Sequence, residues 1–277
     1  MKNSNCLVKL AVLLMMVLVP AFCLAGDLDA FKGEKQGLKI SGGTAHIPVM
    51  EEAAKRIMSF NPDIQITIAG GGSGAGIKQV GEGLVDIGNS GRKATDEEIA
   101  KYGLVTHMWA IDGVAPVVNP KNKVKALSKD QLQAIYAGKI TGWKDLGGED
   151  RAINIYTRDE SSGTREVFWE KALNKGEISG KANVVASNGA MKSGVANDPY
   201  AIGYMSVGYL DESVAPVVLD TVTPSIATVK SGEYKVSRGL YSNTKGEAAG
   251  LVKAFIDYLS SPEGRKIVVE KGFIPAD

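Results

Sequence analysis

The sequence predicts an α/β protein whose strands form mostly parallel sheets flanked by helices. Short apolar runs of strand length alternate with stretches in which apolar residues recur at helical spacing. The chain has 277 residues, 44% of them hydrophobic, and shows no internal repeat or low-complexity linker. A chain of this length can form one large domain or two ordinary ones.

The first 25 residues are predicted to be a secretory signal peptide. Two lysines precede an apolar run, residues 10–19, and a short stretch follows that ends in the small-x-small order Cys23-Leu24-Ala25. The run is too short to span a membrane comfortably, although an uncleaved anchor is an alternative. Cys23 raises the further alternative of a lipid anchor, which the bulky Phe22 before it disfavours. We therefore expect cleavage after Ala25 and export to the periplasm.

The composition excludes several classes of function. Both cysteines lie in the predicted signal peptide, so the mature chain can form neither a disulfide nor a thiolate metal site. Only His46 and His107 are available for a histidine metal site or a Ser-His-Asp triad. The 32 basic and 31 acidic residues form no basic stripe with aromatic side chains, so we expect no nucleic-acid partner. We also expect no cofactor and no metal ion.

Strands and helices alternate in the first part of the chain, which favours a parallel sheet. The break after the first helix comes from Asn61-Pro62-Asp63. The predicted elements are a strand at 38–40, a helix over 47–60 that Thr44 would cap, a strand at 64–68, a short helix after the glycine-rich turn 70–76, and a strand at 84–88.

A second series of elements follows an apolar run that Asn119-Pro120 closes. The predicted elements are a strand at 114–118, a helix over 129–137, a strand at 153–156, a helix over 164–173, a strand at 184–185, a helix from Gly189, a strand at 201–205, a helix over 251–259 and a last helix restarted by Ser261-Pro262-Glu263.

We interpret the two series as two α/β lobes. Lobe I would comprise residues 26–114 plus 234–277, and lobe II residues 115–233. Two crossing strands would join the lobes, one near Val114 and one returning near residues 234–242. A single continuous sheet is the alternative, which composition leaves open.

Three strand-to-helix loops concentrate small residues and hydroxyl groups, at 41–44, 70–76 and 158–164. A helix start presents unpaired backbone N–H groups and the positive end of its dipole, which favours an anion. Open α/β sheets bind ligands at the carboxyl ends of their strands, where these loops lie. One such loop is usually an ordinary helix cap, but three together predict an anion site.

The loops match no sequence motif of a nucleotide-binding site or of a serine hydrolase. The glycine-rich loop contains neither a P-loop nor a G-x-G-x-x-G pattern. Ser73 also fails the G-x-S-x-G pattern, because Ala75 stands at its last position. A serine hydrolase using Ser73 or Ser162 would need Lys78 or His46 as its base, and neither stands in a recognised pattern. We therefore predict a binding protein and not an enzyme.

Six motifs carry a resemblance to a known family: SGGT at 41–44, GSGAGIKQ at 72–79, VDIGNS at 85–90, ITGW at 140–143, Arg158 with SSGTR at 161–165, and AIGY at 201–204. In this order they resemble the substrate-binding proteins of phosphate ABC transporters, a branch of the type II periplasmic binding proteins. The resemblance runs from about residue 38 to the C-terminus. It implies a two-lobed fold, inorganic phosphate held between the lobes and a membrane permease as partner. We expect a monomer.

The resemblance also implies a set of ligands for the anion. One cation would lie among neutral donors, because a buried dianion needs nearly every oxygen lone pair satisfied. Asp159 or Glu160 could pair with the arginine and hold its planar group. The matching residues are Thr44, the amide of Ala45, Ser73, Ser90, Arg158, Ser162, Gly163 and Thr164, with Gly43, Arg92 and Ser161 as further candidates.

The sequence departs from the family at one position. Some phosphate-binding relatives place an aspartate directly after the serine that ends the third strand, where it accepts the ligand's proton and repels sulfate. Here Gly91 stands there, followed by Arg92, which is either a ligand or exposed to solvent. Sulfate, another oxyanion or a small organic anion is therefore an alternative ligand, and a phosphate sensor is an alternative function. An amino-acid or sugar binder is a further one, although the loops lack the aromatics that sugars stack on.

Overall fold

The computed structural model describes residues 26–276, which fold into an α/β structure. Its strands are β1 (Gly37–Gly42), β2 (Gln65–Gly71), β3 (Ile87–Ser90), β4 (Leu104–Val118), β5 (Ala126–Leu127), β6 (Asn154–Arg158), β7 (Asn183–Val185), β8 (Ala201–Ser206), β9 (Ala215–Pro216), β10 (Val218–Leu219), β11 (Ser237–Lys245) and β12 (Ile274–Pro275). Its helices are α1 (Ile47–Phe60), α2 (Ser73–Gly81), α3 (Asp96–Tyr102), α4 (Lys129–Tyr136), α5 (Gly163–Lys171), α6 (Asn188–Asn197), α7 (Ile226–Lys230), α8 (Gly250–Ser260) and α9 (Pro262–Glu270).

The main sheet follows the strand order β2-β1-β3-β11-β4-β8-β6-β7. At one end β1 pairs in parallel with β2 and β3, and at the other β6 pairs in parallel with β7 and β8. The central strands β11 and β4 run antiparallel to their neighbours. Each parallel set therefore belongs to one lobe, and the antiparallel strands lie between the two sets.

Strand β4 is long enough to belong to both lobes. Its first ten residues pair with β11, from Leu104 to Gly113, and its last five pair with β8, from Val114 to Val118. The predicted two-lobed architecture with crossing strands is confirmed. Hydrogen bonds between strands nevertheless continue from one lobe to the other, because β4 pairs with β11 along its first part and with β8 along its last part.

Each lobe has its own hydrophobic core. In lobe I, α1 and α8 bury apolar faces against the sheet, with Met50, Ile57 and Phe255 fully buried. In lobe II, Tyr136 of α4 and Phe168 of α5 lie in a separate cluster. Burying one large apolar side chain contributes roughly 1.5–3 kcal/mol, so each lobe holds its loops on a rigid support. The lobe boundaries at residues 114 and 234 stay a prediction.

Three sequence predictions about local structure are wrong. The predicted glycine-rich turn 70–76 is much shorter, because β2 runs to Gly71 and α2 already begins at Ser73. The third strand starts at Ile87 and not at residue 84, and Leu84 is 61% exposed in the preceding turn. Helix α1 starts after His46, and no side chain caps it. Thr44 is occupied elsewhere, because its Oγ1 accepts hydrogen bonds from Asn188.

No helix between residues 26 and 276 combines the length and the apolar character needed to cross a membrane. The predicted signal peptide, including Cys23, lies outside the described residues.

Candidate functional site

A small cavity lies where the two lobes meet, at the carboxyl ends of β1, β2, β3 and β6. Eight residues of the predicted site line it: Gly43, Thr44, Ala45, Ser73, Arg158, Ser162, Gly163 and Thr164. Four further residues also line it: His46, Gly72, Gly91 and Arg238.

The parallel pairing of β1 with β2 and β3 brings the lobe I loops together. Gly42, at the end of β1, lies opposite Gly71 of β2 and Asn89 of β3. The turn into α2 is a single residue, Gly72, with a φ of +91° that favours glycine. A side chain there would also meet Ser161 of lobe II, 2.5 Å from the Cβ position. The glycine-rich stretch thus lets the lobes touch beside the cavity.

Arg158, at the end of β6, is the buried cation of the site. Only 2% of the residue is exposed. Its Nη2 donates to the carbonyl of Ala186 at 2.9 Å, whereas Nε and Nη1 are buried with no hydrogen-bond partner among residues 26–276. Burial lowers the pKa of Arg158, but a guanidinium remains protonated in proteins. A buried cation with two unused donors is unfavourable unless an anion meets it.

The predicted partners of Arg158 are wrong. Within the described residues, the guanidinium forms no ion pair with Asp159 or Glu160, and the carboxylate of Asp159 accepts hydrogen bonds from Ser161 instead. The arginine is fixed through its backbone, because its N–H donates to the hydroxyl of Tyr204 at 3.0 Å. The Tyr204 ring stacks on Phe168 with centroids 4.0 Å apart. The positive charge therefore remains available to a ligand.

Three hydroxyl groups of the cavity accept hydrogen bonds from the protein. Ser73 Oγ accepts from the Gly91 N–H at 2.9 Å, and Ser162 Oγ accepts from the Arg165 N–H at 3.2 Å. Thr44 Oγ1 accepts from the Asn188 side chain at 3.0 Å. A hydroxyl that accepts from the protein can turn its own proton toward a ligand. These groups are therefore arranged as neutral donors.

Two helices of different lobes begin at the cavity. The first residue of α2 is Ser73 and the first of α5 is Gly163, and both line the cavity. The two starts are so close that a Cβ on Gly163 would lie 2.2 Å from Ser73 Oγ. Each helix start is equivalent to roughly half a positive charge, so both favour an anion between them.

Ser90 does not line the cavity, contrary to the prediction. Its hydroxyl donates to the carbonyl of Arg92 at 2.8 Å and accepts from Asn243 at 2.9 Å. The next residue, Gly91, lines the cavity in its place. The side chain of Ser90 turns toward the neighbouring strand β11, which the sequence alone could not place beside β3.

The further candidates Arg92 and Ser161 also lie beside the cavity and not in its lining. Arg92 forms ion pairs with Glu98 at 2.7 Å and with Glu166 of α5 at 2.9 Å. Ser161 Oγ donates to the carbonyl of Gly71 at 3.0 Å. Both residues join the lobes around the site.

Arg238 was not predicted from the sequence. It lies on β11, is 7% exposed, and donates from Nε and Nη2 to Asp112 Oδ2 at 3.0 and 2.8 Å. Asp112 stands directly opposite on β4. The signal that could have found this pair is a single carboxylate inside the apolar run of β4, which requires a buried cationic partner.

His46 was considered only as a base, and the structure gives it another environment. The residue is fully buried and its ring lies edge-on to Trp109. Its Nδ1 donates to the carbonyl of Gly43 at 3.0 Å. Burial, helped by the nearby Arg238, lowers the pKa of His46 to about 3, so the ring stays neutral. No hydrogen bond of the described chain links it to Ser73 or Ser162.

Within residues 26–276, no group of three or more His, Cys, Asp or Glu side chains is placed to hold a metal ion.

Comparison with known proteins agrees with this architecture. The family model described as "PBP superfamily domain" matches residues 30–263, so the chain belongs to this superfamily.

More specific relatives refine this class. The phosphate-binding protein PstS of Bacillus subtilis is 41% identical over 286 residues, which cover 99% of this chain and 95% of the relative. A Clostridium perfringens structure, described as a phosphate ABC transporter substrate-binding protein with bound phosphate, is 37% identical with a TM-score of 0.83, covering 87% of this chain and all of that one. An ABC-type phosphate transport receptor from Vibrio cholerae is 33% identical with a TM-score of 0.69, at 87% and 100% coverage. The chain belongs to the PstS family of phosphate ABC transporter substrate-binding proteins.

Proposed function

We propose that this protein captures inorganic phosphate in the cavity between its lobes and delivers it to the permease of a phosphate ABC transporter. The observation that carries the proposal is Arg158, a buried guanidinium at the interlobe cavity with two donors that have no partner within residues 26–276. A tetrahedral oxyanion supplies both the charge and the oxygen atoms that these donors lack.

The neutral donors around Arg158 complete the proposed binding site. The hydroxyls of Thr44, Ser73, Ser162 and Thr164 donate to the phosphate oxygens, and so do the backbone N–H groups of Ala45 and Gly163. Thr164 is 4% exposed, so it too is shielded from water once the lobes are closed. These neutral donors, together with the guanidinium of Arg158, hold the anion without leaving its oxygens unsatisfied.

Binding requires the lobes to open, because the residues that line the cavity are almost fully buried. The proposed cycle admits phosphate to an open form and closes β6, α5 and α6 onto the lobe I loops. Phosphate favours the closed form by contacting both lobes at once. The permease then receives the closed, loaded protein.

We further propose that the protein is exported and that it is not an enzyme. Residues 1–25 direct the chain to the periplasm, where the mature protein works as a monomer. It performs no reaction on its ligand. In the hydrolase alternative a base must activate Ser73 or Ser162, but Ser162 caps α5 and Lys78 is 65% exposed beside Glu82.

Isothermal titration calorimetry of residues 26–277 tests the proposal. Wild type is expected to bind phosphate tightly, and Arg158→Met to weaken binding by about 2–5 kcal/mol, roughly 30- to several-thousand-fold, because the bound charge loses its partner. The matched control is Arg151→Gln, since Arg151 is exposed on the same lobe and stacks over Tyr200. The control should bind as wild type does.

Absence of heat with phosphate, together with clear heat for another anion, would remove the phosphate assignment and leave the fold intact. Unchanged phosphate binding by Arg158→Met would contradict the proposed site.

A further inference from the structure

Arg238 brings a second guanidinium to the cavity from the strand that crosses between the lobes. Two of its nitrogens, Nε and Nη2, are held by Asp112 Oδ2. The other oxygen of Asp112 accepts from Ser206 Oγ at 2.7 Å. This buried pair leaves Nη1 outside the ion pair and fixes the plane of the guanidinium.

Nη1 of Arg238 lies where a side chain of residue 91 would begin. A Cβ built on Gly91 would be 2.6 Å from Nη1, and both residues line the cavity. Glycine at this position is therefore what allows the guanidinium to reach the cavity wall. Among the described residues, none that lines the cavity is an aspartate or a glutamate.

The charges around the cavity match a dianion. Asp112 offsets one of the two guanidinium charges, and neutral His46 adds none. The two helix starts at Ser73 and Gly163 together contribute roughly one positive charge. The cavity thus offers about two positive charges, and its lining within residues 26–276 contains no carboxylate that could accept a hydrogen bond from a protonated ligand.

We propose that Arg238 is a specificity-determining ligand that contacts the anion through Nη1, and that the site consequently selects tetrahedral dianions by charge and shape. This inference rests on the proposed function, because it assigns the ligand class of the same cavity. Phosphate binds as its dianion, and sulfate, which has the same charge and shape, binds as well. The site does not require a proton on the ligand.

Titration calorimetry with phosphate and with sulfate tests the role of Arg238. Arg238→Met is expected to weaken binding of both anions by about 30-fold or more. This single variant leaves the carboxylate of Asp112 buried without its partner. The double variant Asp112→Asn/Arg238→Met is therefore measured as well, because removing both charges of a buried ion pair is usually tolerated. Binding within threefold of wild type in either correctly folded variant would overturn the assignment.

Two substitutions at residue 91 test the selection. Gly91→Asp places a carboxylate beside the ligand. This carboxylate repels sulfate, whereas protonated phosphate can donate a hydrogen bond to the carboxylate. The ratio of phosphate to sulfate affinity should therefore rise by about 100-fold. Gly91→Asn displaces Arg238 similarly without adding charge, and should leave that ratio near the wild-type value.

Calorimetry of the wild-type protein with the two anions distinguishes a failure of this inference from a failure of the proposed function. Wild type that binds phosphate but gives no heat with sulfate would overturn the selection of dianions and leave phosphate capture standing. Wild type that binds neither anion would remove the proposed function itself.

Discussion

The buried residues of the cavity show how single side chains combine stability with binding. Arg158 and Arg238 are both buried, yet only Arg238 has a carboxylate partner in the described structure. A buried charge without a partner is strongly destabilising, and charged residues are rarely fully buried unless they are paired. At the scale of the residue, therefore, the missing partner of Arg158 is the clearest indication of an anionic ligand.

His46 gives a prediction about stability and pH. Its pKa is about 3 in the folded chain and near its ordinary 6.5 when unfolded, so the unfolded state takes up a proton first as the pH falls. Stability from the neutral ring is present above pH 6.5 and is lost below it. Lowering the pH from 7 to 5 should therefore decrease the free energy of unfolding by about 2 kcal/mol through this residue.

Urea denaturation of wild type and His46→Gln at the two pH values measures this loss. The glutamine variant should lose about 2 kcal/mol less than wild type over the same interval. Equal losses in the two proteins would show that His46 does not carry the effect. His107→Gln is the control, since His107 is only partly buried whereas His46 is fully buried.

At the scale of the secondary-structure element, most of the strands, helices and loops that position the site could be predicted from the sequence. The apolar spacing over 47–60 and 251–259 predicted α1 and α8, and loops 41–44 and 158–164 were found because small and hydroxyl residues follow strands. The third strand was misplaced because Leu84 and Val85 are apolar but precede the hydrogen-bonded pairing.

The crossing strands were the part that local patterns could not resolve. Arg238 reaches the cavity only because β11 pairs antiparallel with both β3 and β4, in a register that sets Arg238 opposite Asp112. That register joins residues more than a hundred positions apart. Spacing along the chain gives no measure of such a contact, whereas the loops at strand ends follow from neighbouring residues.

The meeting of α2 and α5 gives a prediction at this scale. Gly163→Ala puts a Cβ 2.2 Å from Ser73 Oγ, a contact that exists only when the lobes are closed. Overpacking of this kind costs about 1–3 kcal/mol, so phosphate affinity should fall roughly five- to 150-fold. Thermal unfolding without ligand should change little, because an open form avoids the contact.

The matched control is Gly180→Ala, whose Cβ meets no atom within 4 Å. Calorimetry should find its phosphate affinity unchanged. If Gly163→Ala also binds phosphate as wild type does, the two helix starts do not close on each other in the bound state.

At the scale of the whole molecule, the lobes are held around the cavity by contacts that do not involve a ligand. Ser161 bonds to the lobe I backbone through its hydroxyl and its carbonyl, and Arg92 forms an ion pair with Glu166 at 2.9 Å. Asn188 also donates to Thr44 Oγ1 in the buried interior, and the hydroxyl of Tyr209 donates to the Thr44 carbonyl at 2.7 Å. An anion that contacts both lobes would add to these direct contacts and so favour the closed form further.

Glu166→Gln tests this weak interlobe pair. Its side chain is 39% exposed, so we expect a loss of at most about 1 kcal/mol, or roughly fivefold in phosphate affinity. The loss should disappear in about 1 M salt, which screens exposed charges within about 3 Å. Glu170→Gln, on the same helix but paired with Lys175, is the control. A loss of a hundredfold would mean that the ion pair, and not the ligand, determines closure.

A crystal structure of the mature protein with phosphate tests the central claim most directly. We expect the anion in the cavity between the lobes, with two of its oxygens within hydrogen-bond distance of Nε and Nη1 of Arg158. An anion bound elsewhere, or a guanidinium of Arg158 that stays unpartnered beside an empty cavity, would contradict the account.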